Sequence, residues 1–95
     1  MVELPPFVRM MLHSKDYQQI GAVMLESIRN GEIDSSKESR EAFCKKANCS
    51  LQQYYAILKL LMESKLILKE GKKYVLNRYF LVEVTKEWLE YTSDH

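Results

Sequence analysis

The side chains of this chain that could act as nucleophiles, metal ligands or paired acids and bases are few. Cys44 and Cys49 lie five positions apart, and neither they nor His13 and His95 form a Cys-x-x-Cys or His-x-x-x-His pair, so the spacing of a zinc site is missing. No metal and no cofactor are expected. No Asp or Glu stands at a recognisable catalytic spacing from a His or Ser, so the chain is not expected to be an enzyme. The two cysteines read as free, structural thiols in a reducing compartment. They approach disulfide range only if the turn between them folds Cys49 back over the preceding helix. His13 reads as an exposed residue at a helix end.

What remains is charge and hydrogen bonding. The formal net charge is +1, but it is unevenly spread: residues 1–36 carry three basic and five acidic side chains, residues 37–73 nine and four, and residues 74–95 two and four. The middle is a basic block that holds Lys37, Arg40, Lys59, Lys69, Lys72 and Lys73. A cationic face on a near-neutral molecule is how a small protein meets a polyanion. The competing reading is a solvated surface whose lysines keep strand edges from pairing.

These side chains need elements to position them. Ninety-five residues, 46% hydrophobic and 28% charged, suffice for one core but leave little material for a deep enclosed site. No apolar run approaches the ~18 residues of a membrane span, and the first residues lack a basic stretch followed by an apolar one, so an intracellular, cytoplasmic chain is expected. Pro5 and Pro6 fit the first turn of a short helix reaching residue 13, with Phe7, Met10 and Met11 on one face. Ser14 caps a second helix whose stripe is Tyr17, Ile20, Gly21, Met24 and Ile28, and Asn30-Gly31 ends it. Glu32-Ile33-Asp34 is a connector or one short edge strand.

Ser35 with Glu38 has the spacing of a capping box, and Ala42, Phe43 and Ala47 give the helix that follows its apolar side. Asn48 breaks that helix. Ser50 with Gln53 makes a second capping box, opening a helix with Tyr54, Ile57, Leu58 and Leu61 on one face. Lys65 to Leu68 and Lys73 to Leu76 flank a turn at Glu70-Gly71-Lys72 and predict a hairpin. From Arg78 to Thr92 the period is helical again, with Phe80, Leu81, Val84, Trp88 and Tyr91 on one side and Val82 and Leu89 opposite. That arc is too wide for one domain surface to bury, which predicts a second partner. With Phe7, Met10 and Met11, the residues Val82, Trp88, Leu89 and Tyr91 are the expected homodimer contacts.

The helix after Ser50 also has a defined outer face. Advancing 100° per residue from Ser50 puts Gln52, Tyr55 and Lys59 at about 200°, 140° and 180°, against about 40°, 80° and 20° for Tyr54, Leu58 and Leu61. Leu51 and Ala56 complete the outer face, while Gln53 is drawn toward its capping role.

The stretch Ser39 to Ile67, with Phe43 and Cys44 in its first helix, Asn48, Cys49 and Ser50 at the turn, and Tyr54, Leu58 and Leu61 in its second helix, resembles the helix-turn-helix of winged-helix regulators of the MarR, PadR and ArsR type. Lys65, Leu66 and Ile67 match the approach to the wing, and small winged-helix proteins of archaeal viruses and plasmids have a similar length and plan. The resemblance implies a mainly α fold with a small β-hairpin, a winged helix-turn-helix over 15–77 with a helical extension at 1–13 and a dimerising helix at 78–92. It implies double-stranded DNA binding in transcription regulation, by a homodimer on a palindromic site, with no small-molecule effector evident. The residues it points to are Ser50, Leu51, Gln52, Gln53, Tyr55, Ala56 and Lys59 in the major groove, Lys69, Lys72 and Lys73 on phosphates, and Lys37 and Arg40 beside them. The sequence departs from the family in having Asn48 and Lys65 where Gly is common, and no arginine on the outer helix face. That last departure weakens sequence-specific reading, and the near-neutral charge with Leu51, Tyr55 and Ala56 on the outer face favours the alternative, a winged-helix module that binds protein in a replication, transcription or viral assembly.

Overall fold

The computed structural model describes Leu12 and residues 14–93, so Phe7, Met10, Met11, His13 and the expected helix over 1–13 lie outside the described residues, apart from Leu12. Helix α1 (Lys15–Arg29) opens where Ser14 Oγ accepts the Tyr17 N–H at 3.1 Å, leaving Asp16 in the first turn where the helix dipole favours an anion. Its buried residues are Ile20, Gly21, Ala22, Met24, Ser27 and Ile28, which contain most of the expected stripe. At Gly21 a Cβ would stand 2.7 Å from Leu12 Cδ1, so the missing side chain is what lets Leu12 lie on the helix.

Helix α2 (Lys37–Ala47) starts one residue later than the Ser35 box predicts. Ser36 is the cap, its hydroxyl accepting the Ser39 N–H at 3.2 Å. Three bonds decide this. Asp34 Oδ1 accepts the Ser36 N–H at 2.8 Å and the Ser36 hydroxyl, while the Ser35 N–H is taken by the Lys72 carbonyl at 2.8 Å. On α2 Phe43 alone is buried, and Ala42 is exposed. Helix α3 (Leu51–Glu63) carries the predicted reciprocal box: the Gln53 N–H donates to Ser50 Oγ at 3.1 Å and the Ser50 N–H to Gln53 Oε1 at 3.0 Å. Tyr54, Ile57, Leu58 and Leu61 are its buried side, as the spacing predicts.

Each of these three helices ends on a left-handed residue: Gly31 at φ 74°, Asn48 at φ 52° and Lys65 at φ 66°. In each case the next N–H swings back to the carbonyl five positions earlier, Glu32 to Ser27 at 2.9 Å, Cys49 to Cys44 at 3.0 Å and Leu66 to Leu61 at 3.0 Å. This closes a Schellman turn three times over. It also explains why the hairpin begins later than Lys65: that residue is spent on the turn.

Strands β1 (Ile67–Glu70) and β2 (Lys73–Leu76) pair antiparallel with Ile67 opposite Leu76 and Glu70 opposite Lys73. Gly71, at φ 61°, supplies the positive φ that the first position of a two-residue type II′ turn needs. The segment after α1 adds a single bridge, Asp34 to Lys73, and the Tyr74 N–H donates to the Ile33 carbonyl at 3.2 Å. Leu12, Met24, Ile28, Ile33, Phe43, Tyr54, Ile57, Leu61, Ile67 and Tyr74 meet in one core. Helix α4 (Phe80–Ser93) follows. Among the described residues the fold is mainly helical, four helices with one small antiparallel hairpin.

Candidate nucleic-acid interface

The outer face of α3 is open. Leu51 is 50% exposed and Tyr55 46%, and Gln52, Ala56 and Lys59 are exposed beside them. Ser50 and Gln53 lie at the same helix end but their side chains are occupied by each other, which fixes the start of the helix and leaves the face to the others. Lys59 is loosely paired with Glu63 at 3.9 Å, and Lys37 with Glu41 at 3.8 Å, both on the surface, where such pairs hold a side chain only weakly.

The arginine that α3 lacks comes from α2. The Arg40 guanidinium lies 5.8 Å from the centroid of the Tyr55 ring and donates from Nη1 to the Ser35 carbonyl at 3.4 Å. Tyr55 is held in turn, edge against the ring of buried Tyr54 at 5.4 Å. Since the Ser35 N–H donates to the Lys72 carbonyl, one residue ties the hairpin turn to Arg40, and Arg40 to α3. The backbone of the hairpin turn at Lys72 and Lys73 is thus linked through Asp34 and Ser35 to Arg40, and Arg40 to Tyr55, by contacts that sequence spacing does not contain. The available signal was Asp34 followed two residues later by Ser36, the pattern of an Asx turn.

Lys69 crosses the hairpin to its register partner, with Nζ 5.9 Å from the Tyr74 ring centroid. Asp34 stands among these cations. Hydrogen bonds from the Ser36 hydroxyl and backbone, and then the charges of Lys73 and Lys72, hold its carboxyl below the usual carboxylate value. It stays ionised and offsets part of the positive field at the turn.

Inside the face, Tyr54 is 1% exposed and its hydroxyl finds no partner among the described residues. Burial is the main reason its pKa is pushed up to about 12. Its ring packs on Phe43 at 5.6 Å, so Tyr54 serves the core, as its position on α3 predicts.

The expected dimer contacts on α4 are all exposed: Val82 64%, Trp88 63%, Leu89 59% and Tyr91 67%. The spacing put Trp88 and Tyr91 on the same side as Phe80. Phe80 does pack against the core, but Trp88 and Tyr91 extend past it and stack on each other at 5.9 Å. Val82 and Leu89, with Thr85 and Lys86, line a shallow apolar groove along the helix. The helix is held at its start by Asn77, 7% exposed, whose Nδ2 donates to the Lys65 carbonyl at 2.8 Å and to Glu83 Oε2 at 3.1 Å, while its Oδ1 accepts the Tyr79 N–H at 3.0 Å. Lys65 also pairs with Glu87.

Among the described residues no three His, Cys, Asp or Glu side chains gather as metal ligands, and no helix is long and apolar enough to cross a membrane. No protein-family model, no curated protein and no solved structure matches the chain, so its functional reading rests on the face built by α3, Arg40 and the hairpin.

Proposed function

We propose that the chain is a winged helix-turn-helix that binds double-stranded DNA and regulates transcription, with α3 seated in the major groove and the hairpin, as the wing, on phosphates. The observation that carries this reading is the exposed α3 face with Arg40 over Tyr55, tied through Ser35 to the backbone of the hairpin turn that bears Lys72, on a helix whose core side is buried. Gln52 reads adenine there, and Arg40, resting on an aromatic ring, supplies a planar donor at the groove edge. A homodimer through α4 sets two such helices about 34 Å apart on a palindromic site.

The test is binding to random and selected duplexes across a salt series. Replacing Lys72 and Lys73 by Ala lowers affinity for all sequences alike and reduces the salt slope by up to about two. Gln52→Ala costs on the order of 1–3 kcal/mol at one base position. Full DNA affinity in a folded variant with Gln52, Tyr55 and Lys59 all changed to Ala overturns the proposal.

One observation favours a second reading. Leu51, Tyr55 and Ala56 make much of the outer face apolar, as suits a winged-helix module that docks on a protein. Absence of salt-dependent DNA binding, together with a protein complex lost in the same triple variant, selects it.

A further inference from the structure

Cys44 and Cys49 are brought together by the way α2 ends. With Asn48 in the left-handed region, the Cys49 N–H turns back to the Cys44 carbonyl at 3.0 Å. A turn closed in this way commonly sets the side chains of its first and last residues in contact. The same turn at the end of α3 joins Leu61 to Leu66, both buried, as an apolar closure. At the end of α2 the corresponding closure is a pair of thiols. Both are free and half-buried, so a small solute reaches them.

A disulfide requires Cα atoms roughly 4.4–6.8 Å apart and side chains on one side, and a direct N–H to carbonyl bond between the two residues meets the first requirement. Burial, and after it the neighbouring Cys44 thiol, push the Cys49 thiol up to about 11.

We propose that Cys44 and Cys49 form a dithiol site that a small hydroperoxide oxidises to a reversible disulfide, stiffening the joint between α2 and α3. Either thiol opens the reaction, here Cys44. As a thiolate its sulfur takes one peroxide oxygen: the S–O bond forms, the O–O bond breaks, and the departing hydroxide takes up the proton that Cys44 released. Cys49 then displaces the hydroxyl of the resulting sulfenic acid. The S–S bond forms, the S–O bond breaks, and the Cys49 proton leaves with the hydroxyl as water. Two thiols and one hydrogen peroxide become one disulfide and two waters. A low-molecular-weight thiol reverses it, two of its molecules being oxidised to their own disulfide.

The experiment treats the reduced full chain with one equivalent of hydrogen peroxide, then with a maleimide, and measures intact mass. The expected product lacks two hydrogens, carries no maleimide, and returns to a doubly labelled chain after reduction with dithiothreitol. Tryptic cleavage after Lys45 and Lys46 separates the two cysteines in sequence, so a peptide pair joined through Cys44 and Cys49 must appear without reductant and vanish with it. Hydrogen exchange at the Cys49 amide, which reports opening of the turn, slows at least tenfold in the oxidised chain. Chains that still take two maleimides, gain only oxygen, or link only between molecules overturn the site. A disulfide that leaves the Cys49 amide exchanging as before overturns the stiffening.

Discussion

Helices α3 and α4 are 13 and 14 residues long and both rich in large apolar side chains, yet they meet opposite fates. On α3 four of those side chains are sealed, Ile57 completely, because α1, α2 and β1 all pack on it. On α4 Val82, Trp88, Leu89 and Tyr91 remain more than half exposed, because the helix is moored through Phe80 and the polar cluster at Asn77 and runs on past the core. The contrast teaches that periodicity defines which residues share a face, while burial depends on how many elements cross that face. One helix completes a core. The other leaves its large apolar side chains in solvent, the arrangement on which the proposed dimer rests.

The widest gap between the two helices is energetic. Ile57→Ala leaves a cavity in a site that cannot collapse freely and costs about 2–5 kcal/mol in urea unfolding, whereas Leu89→Ala at a concentration where the chain is monomeric costs under about 0.5 kcal/mol. If α4 carries the dimer, that second value rises with protein concentration. A Leu89→Ala loss as large as that of Ile57→Ala in the monomer means that α4 is packed after all.

Asn77 tests the mooring itself. Its replacement by Ala leaves the part-buried Lys65 carbonyl and Tyr79 N–H without their partner and costs about 1–3 kcal/mol. Amide exchange accelerates most in α4, whereas α3 follows global unfolding; uniform acceleration contradicts the contrast. Lys65→Gly then separates backbone from side chain. Relief of the left-handed conformation raises global stability by up to about 1 kcal/mol, while loss of the Lys65 to Glu87 pair loosens α4, so thermal midpoint and α4 exchange move in opposite senses.

The smallest effect lies at Tyr54. Removing its unpaired hydroxyl with Tyr54→Phe changes stability at neutral pH by less than about 1 kcal/mol. Above pH 10 the two proteins diverge. The unfolded tyrosine ionises near 10 and the folded one at about 12, so the folded state binds more protons in that window and the parent loses stability that the Phe variant keeps. Parallel unfolding curves from pH 9 to 11 contradict a sealed Tyr54.

Much of this arrangement is written locally. Ser14, the Ser50 and Gln53 box, Gly71 and the two faces of α3 each depend on residues within one turn of one another, and each was readable from the chain. Two features were not. The shift of the α2 cap to Ser36 depends on the Lys72 carbonyl, and the seat of Arg40 on Tyr55 depends on how two helices cross. Lys65 was visible as a departure from Gly, but its cost appears only as a positive φ.

Three successive reversals of direction at residues 31, 48 and 65 are each closed by a hydrogen bond spanning only five positions. Such loops are short, so little chain entropy is lost before contacts form, and the order of assembly follows. Each helix end is set within its own turn, the α3 turn leads straight into the hairpin, and the distant joining of Asp34 to Lys73 comes last. The Ser35 to Lys72 bond depends on that joining, so native-state hydrogen exchange is expected to open the Ser35 amide before the amides that close the three helix ends.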